Sequence, residues 1–163
     1  MRETPKEETE PDTLDPALHA RLSKTFEERI PFNHLLGLKV SELSLERAVL
    51  WWELKPEQIG NFSLGILHGG VTSAALDAAG GLIATVQTFH RLKSRTPEEQ
   101  ATALAKVGTI DLRVDFLRRG EGERFYASAR MMRAGSRVAV TRMELHNEKD
   151  RLIATGTGTY IVG

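Results

Sequence analysis

The chain has 163 residues, 40% of them apolar and 27% charged, with 22 Lys plus Arg against 22 Asp plus Glu, so its formal net charge is zero. That length suits one domain with a full core, and the even charge argues against bulk nucleic-acid binding. Cys is absent, which excludes disulfides, thiolate catalysis and thiolate metal sites; no secretory signal stands in the first thirty residues and no run approaches the ~20 apolar residues of a membrane span, so a cytoplasmic protein is expected.

Residues 1–14 are rich in Glu, Pro and Thr and read as a disordered acidic tail ahead of a single domain over 15–163. From residue 15 to 30 the pattern is helical, with Asp15 as N-cap and Pro16 at the first position. Leu18, Leu22, Phe26 and Ile30 recur every four residues and form one apolar stripe, which Pro31 ends or bends. Strands are expected over 36–43 and 47–54. In the second, Ala48, Leu50, Trp52 and Leu54 share one face while Val49, Trp51 and Glu53 share the other. A loop is expected from Pro56 to Ile66.

The stretch from Leu67 to His90 is the centre of the chain. It reads as a helix from about His68 to about Gln87, apolar on nearly every face, which places it inside the protein. It carries Gly69, Gly70, Gly80 and Gly81, although an interior Gly costs a helix about 1 kcal/mol relative to Ala. Thr72, Ser73, Ala74, Ala75, Ala78 and Ala79 keep it slender, as a helix must be when something approaches its backbone closely. One charge, Asp77, stands in the middle, and an unpaired carboxylate is expensive to bury. The ordinary explanation is an ion pair with an Arg across the fold.

A short helix follows, with Thr96 as N-cap, Pro97 at the first position and Glu98 and Glu99 in the first turn. From Gly108 the period changes to two. Ile110, Leu112, Val114 and Phe116 alternate with Thr109, Asp111, Arg113 and Asp115. Strands over 123–132, 137–145 and 152–162 are separated by short turns, so the four are expected to be consecutive antiparallel neighbours. Ala154, Gly156 and Gly158 share one face, small residues again. Helix, two strands, long helix and four strands make an α+β fold, a curved antiparallel sheet wrapped around a long central helix.

This order, the motif Asn61-x-x-x-Gly65-x-x-His68-Gly69-Gly70 followed by Asp77, the block 108–118 and Arg133-x-Gly-x-Arg137-Val-x-Val140 resemble the hotdog-fold acyl-CoA thioesterases of the phenylacetate-type branch. The resemblance covers residues 30–162, and the helix inserted before Gly108 looks most like the bacterial group acting on medium- to long-chain acyl-CoA. It implies hydrolysis of acyl-CoA to free fatty acid and CoA without cofactor or metal. It also implies a homodimer or dimer of dimers with active sites shared across the interface.

Thioester hydrolysis needs an activated water or a nucleophile, and donors for the oxyanion. The start of a buried helix supplies free N–H groups and a positive partial charge. By resemblance Gly69 offers its backbone N–H there, and Asp77 is the general base or the nucleophile. Position 73, one turn earlier on that face, holds only Ser, so a substrate can reach the carboxylate. Asn61 is implied to orient the carbonyl or the water, and Thr109 to hold the water near the partner subunit's Asp; turn residue and strand former are their ordinary roles. For His68, at the helix start, an orienting hydrogen bond is preferred over base catalysis. Arg118, Arg119, Arg133, Gly135, Ser136 and Arg137 stand at turns that the family uses for CoA phosphates. Trp51, Trp52 and Phe62 are expected to line the acyl channel. Two alternatives stand beside this reading: a hotdog hydratase or dehydratase pairing His68 with Asp77, and a non-enzymatic acyl-CoA binding module.

Overall fold

A computed structural model describes residues 14–162; all of the expected acidic tail except Leu14 lies outside them. The first helical stretch is interrupted. Helix α1 (Pro16–Lys24) starts under an Asp15 cap, whose side chain accepts from the Ala17 N–H at 3.2 Å, and runs into a π-helical turn (Thr25–Arg29) before α2 (Pro31–Leu36). Pro31 lacks the N–H that would continue the first helix and starts the second instead.

Strands β1 (Lys39–Leu43) and β2 (Arg47–Glu53) follow. The stretch expected to be a loop holds a 3₁₀ turn (Pro56–Gln58) and a two-stranded hairpin, β3 (Ile59–Asn61) with β4 (Ile66–Leu67). Strands this short show no periodicity to read. Then come α3 (Gly69–Arg91), α4 (Pro97–Leu104), β5 (Gly108–Phe116), β6 (Arg124–Ala134), β7 (Val138–Asn147) and β8 (Leu152–Ile161). In α4 the Thr96 hydroxyl and the Glu99 carboxylate satisfy each other's backbone N–H groups.

The six long strands form one antiparallel sheet in the order β1-β2-β6-β7-β8-β5. The expectation of four consecutive neighbours is thus met for β6, β7 and β8 but not for β5, which pairs with β8. The connection over 117–123 crosses three strand spacings of ~4.8 Å, a gap that its residues span easily at about 3.3 Å each.

Helix α3 packs mainly on β6 and β7. Beneath it lie Ala48, Leu50, Trp52, Phe125, Met143, Leu145 and Ala154, all 0–1% exposed. Contrary to the expectation that no run suits a membrane span, α3 is long and apolar enough for one by length and composition, with a mean hydropathy of 1.2 over 18 residues. Half of that window is buried inside this fold, and its Ala and Gly residues make a slender core helix as apolar, on average, as a lipid-facing one.

Candidate active site

The start of α3 is set by the hairpin before it. The His68 N–H donates to the Gln58 carbonyl at 2.8 Å and the Leu67 N–H to the Gly120 carbonyl at 2.9 Å. His68 is the N-cap, and its Nδ1 accepts from the Gly70 N–H at 2.8 Å. An accepting Nδ1 carries no proton, which leaves the ring's proton on Nε2. The N–H groups of Val71 and Thr72 go to the His68 carbonyl. Among the described residues, only the Gly69 N–H of this first turn makes no hydrogen bond. A Cβ on Gly69 would stand 3.3 Å from the Phe116 ring, so that half-exposed aromatic closes one side of the free donor.

Asp77 lies two turns further on and is half-buried. Its Oδ1 accepts from the Thr109 hydroxyl at 2.9 Å and from the Tyr160 hydroxyl at 3.2 Å. The Tyr160 hydroxyl also stands 3.1 Å from the Asp77 carbonyl oxygen. No hydrogen bond reaches Oδ2 among the described residues, and no cation pairs with the carboxylate. The expected alternative, an Arg ion pair, is replaced by two neutral donors. Burial pushes the Tyr160 phenol well above its usual range, and the nearby Asp77 charge adds to this. Tyr160 therefore stays a protonated donor above the pH at which an ordinary phenol ionises.

Thr109 reaches Asp77 from the same chain, where the family resemblance implied a meeting across subunits. The register explains how. Thr109 pairs directly with Tyr160 across β5 and β8, and a bulge falls between Thr109 and Asp111. Simple alternation would put Thr109 opposite to Leu112 and Val114. The extra residue turns Thr109 to the helix side and expels Ile110, which is 54% exposed.

Tyr160 is the residue that sequence reasoning missed. It continues the face of Ala154, Gly156 and Gly158, and that pattern was its signal. Two glycines make its room. A Cβ on Gly80 would collide with the Tyr160 hydroxyl and lie 2.8 Å from Met143 Sδ, and one on Gly158 would lie 2.7 Å from the same hydroxyl.

Asp77, Thr109 and Tyr160 stand on the wall of a cavity of about 640 Å³ between α3 and the helices α1, α2 and α4. Its walls include Leu22, Phe26 and Ile30, three residues of the apolar stripe read in the sequence, with Ala101 and Leu104 of α4. Trp51, Trp52 and Phe62 do not line it. Trp52 is wholly buried against Phe125, ring centroids 5.5 Å apart; Trp51 lies under the Arg124 guanidinium at 5.0 Å; Phe62, at the hairpin tip, is 93% exposed.

The remaining candidates fall into separate places. Asn61 is exposed, and its Oδ1 caps its own turn by accepting from the Ser63 N–H at 3.1 Å. The hairpin that holds it lies against His68. Gly69 and His68 are about 12 and 13.5 Å from Asp77 along the axis of α3, at 1.5 Å per residue. In one chain His68 and Asp77 therefore form no acid–base pair, and Gly69 and Asp77 do not face one carbonyl. The Arg groups are apart too. Arg118 donates to the Leu152 carbonyl at 3.0 Å, and with Arg119 it stands beside Gly120 near the start of α3. Gly135, Ser136 and Arg137 form the β6–β7 turn, with Arg133 near the end of β6, and the Gly135 carbonyl accepts from Arg91 at the far end of α3 at 2.6 Å.

A model of the thioesterase superfamily matches residues 64–154. Over 142 residues the chain is 44% identical to the medium/long-chain acyl-CoA thioesterase YigI of Escherichia coli, covering 87% of this chain and 92% of that protein. A crystal structure from Shewanella oneidensis, of a protein related to the thioesterase superfamily, matches with a TM-score of 0.84 at 45% identity, over 88% of this chain and 94% of that one. The PaaI protein of the E. coli phenylacetic acid degradation operon shares the fold at 19% identity, with a TM-score of 0.71 over 88% of this chain and 92% of that one.

Proposed function

The chain belongs to the thioesterase superfamily, and from that premise we propose that it hydrolyses medium- to long-chain acyl-CoA thioesters to free fatty acid and CoA. The observation that carries this reading is a carboxylate held by two neutral donors on the wall of an apolar cavity, Asp77 with Thr109 and Tyr160. Anchoring by Oδ1 leaves Oδ2 to take the proton of an attacking water, the work of a general base. The carbonyl oxygen, gaining charge as the water attacks, is received by the free Gly69 N–H at a helix start, where the dipole favours an anion. The acyl chain occupies the cavity. YigI, 44% identical, bears the name of the same reaction class.

The ~12 Å between Gly69 and Asp77 along one helix supports a site whose two groups come from two chains. The active unit is then a homodimer with two such sites. The same pairing reconciles the Arg groups: α3 is about 34 Å long, and one CoA meets arginines from both of its ends when they come from different copies.

Two variants test this. Asp77→Asn keeps the shape and removes the base, so acyl-CoA turnover should fall by at least about 10²-fold. Gly69→Pro deletes the N–H at a position where Pro suits the first turn of a helix. The His68 backbone before it, at φ −68° and ψ 135°, is already what a following Pro requires. Loss of the donor should lower kcat by about 10²–10³-fold. Refolding the two inactive variants together should restore about a quarter of wild-type activity, since half the dimers are mixed and each has one intact site. Wild-type turnover in Asp77→Asn would refute the assignment, and mixtures as inactive as their components would refute the shared site.

A further inference from the structure

Gly80 and Gly81 are adjacent in α3, yet only one is required by the fold. A Cβ on Gly80 has no room, whereas one on Gly81 would meet nothing closer than Tyr160 Cε1 at 3.7 Å, an ordinary contact. Gly is, after Pro, the worst residue for a helix interior. Packing within the chain therefore gives no reason for Gly81. Its free side faces the 640 Å³ cavity.

We propose that Gly81 is a specificity-determining position, bare so that an extended acyl chain passes over the α3 backbone there on its way from Asp77 toward Phe89. The proposal rests on the acyl-CoA reading above and adds where the chain lies and what limits its length. Asp77, Gly81, Thr85 and Phe89 recur every four residues, and all line the cavity. From Asp77 to Phe89 the helix rises about 18 Å. An extended hydrocarbon advances roughly 1.3 Å per bond, so this floor accommodates about 14 carbons. Thr85 presents little polarity to the chain, because its hydroxyl is turned back to the Gly81 carbonyl at 2.8 Å. At the far end the Arg21 guanidinium stacks over the Phe89 ring at 4.9 Å, and both line the cavity as its end wall. Gly81 is one turn, about 6 Å, from Asp77. A side chain there meets acyl chains beyond about five carbons and leaves shorter ones clear.

The test measures kcat/KM for butanoyl- and tetradecanoyl-CoA, together with the affinity for tetradecanoate by calorimetry, in wild type, Gly81→Ala and Gly81→Leu. One methylene of mismatch in an apolar pocket is worth about 10–200-fold. The tetradecanoyl-to-butanoyl ratio should therefore fall at least about tenfold in Gly81→Leu, and less in Gly81→Ala. A ratio within twofold of wild type in both variants overturns the proposal. Should Gly81→Leu not melt cooperatively, Gly81→Ala decides, since its Cβ has room. If the wild-type protein releases no thiol from any acyl-CoA, the hydrolytic reading fails by itself. The tetradecanoate affinity then decides for Gly81, with weakening in the variants supporting the assignment and no change refuting it.

Discussion

Neighbouring glycines of one helix should respond to the same substitution with opposite signs. Gly to Ala in a helix interior is worth about 1 kcal/mol in favour of Ala. At Gly81 nothing opposes that gain, because the added Cβ stands 3.7 Å from its nearest neighbour. Gly81→Ala should stabilise by about 1 kcal/mol, which for a protein of this size raises Tm by roughly 2–4 °C. At Gly80 the added Cβ strikes the Tyr160 hydroxyl and comes within 2.8 Å of Met143 Sδ, and both side chains are 0–1% exposed. The Tyr160 ring has no retreat, since Gly158 would admit no atom on its other side. Overpacking typically costs 1–3 kcal/mol, and a hydroxyl displaced from Asp77 forfeits a hydrogen bond to a charged group, about 1.5–3 kcal/mol. Gly80→Ala should thus be destabilising by roughly 1.5–5 kcal/mol after the helix gain, with a lower Tm and, through the displaced Tyr160, slower turnover. Calorimetric melts of the three proteins at one protein concentration decide it, since association would make Tm concentration-dependent. Shifts of the same sign in the two variants would refute the packing argument.

Tyr160→Phe should be less stable than wild type at neutral pH, where the phenol donates to Asp77. Above about pH 10 the unfolded Tyr releases its proton while the folded one, raised by burial, keeps it. The unfolded state then binds fewer protons, so wild-type stability falls by about 1.4 kcal/mol per pH unit from this group. Denaturant melts from pH 8 to 11 should show the gap between the two proteins closing, and a constant gap would contradict the assignment. His68→Ala removes the side-chain cap of α3 and should cost about 0.5–2 kcal/mol by the same melts, with His68→Asn regaining most of it. Trp52→Phe should cost only about 1–2 kcal/mol, well under a ring truncation. The Trp52 Nε1–H is buried without an acceptor among the described residues, so its removal relieves a penalty.

The parts of this protein that repeat were legible in the sequence. The four-residue stripe of α1, the capping residues Asp15 and Thr96 and the strands from Gly108 onward follow periods set by backbone geometry. The fold class followed from their order. What escaped were single-residue irregularities and long-range pairing. One bulge after Thr109 reverses the faces on either side of it, and no local pattern announces an extra residue. The placement of β5 beside β8 is decided by how the sheet closes around α3. Of the candidate site, Asp77 was marked by its oddity, a charge on a slender apolar helix. Its partners were harder to see. Thr109 was implied only by the resemblance, as a partner of the other subunit's Asp, and Tyr160 lies one step beyond the small-residue face of Ala154, Gly156 and Gly158. Trp51, Trp52 and Phe62, expected to line an acyl channel, do not line the cavity, which lies between the helices instead. The Leu22–Phe26–Ile30 stripe was read correctly as apolar, without the cavity that it lines.

The way Asp77 is held bears on what it can do. A guanidinium beside it would have compensated the buried charge most simply, and such a pair would have been a sound explanation for an isolated carboxylate. It would also have occupied the carboxylate bidentately and lowered its basicity. Two hydroxyls fix one oxygen through neutral hydrogen bonds and leave the negative charge on the group. Tyr160 cannot give up its proton to Asp77 in exchange, because burial disfavours a phenolate there. A polar group in a partly buried place is thereby satisfied without being neutralised, and its second oxygen stays open. A purely structural carboxylate gains nothing from the open second oxygen, whereas a general base, the role proposed for Asp77, needs it.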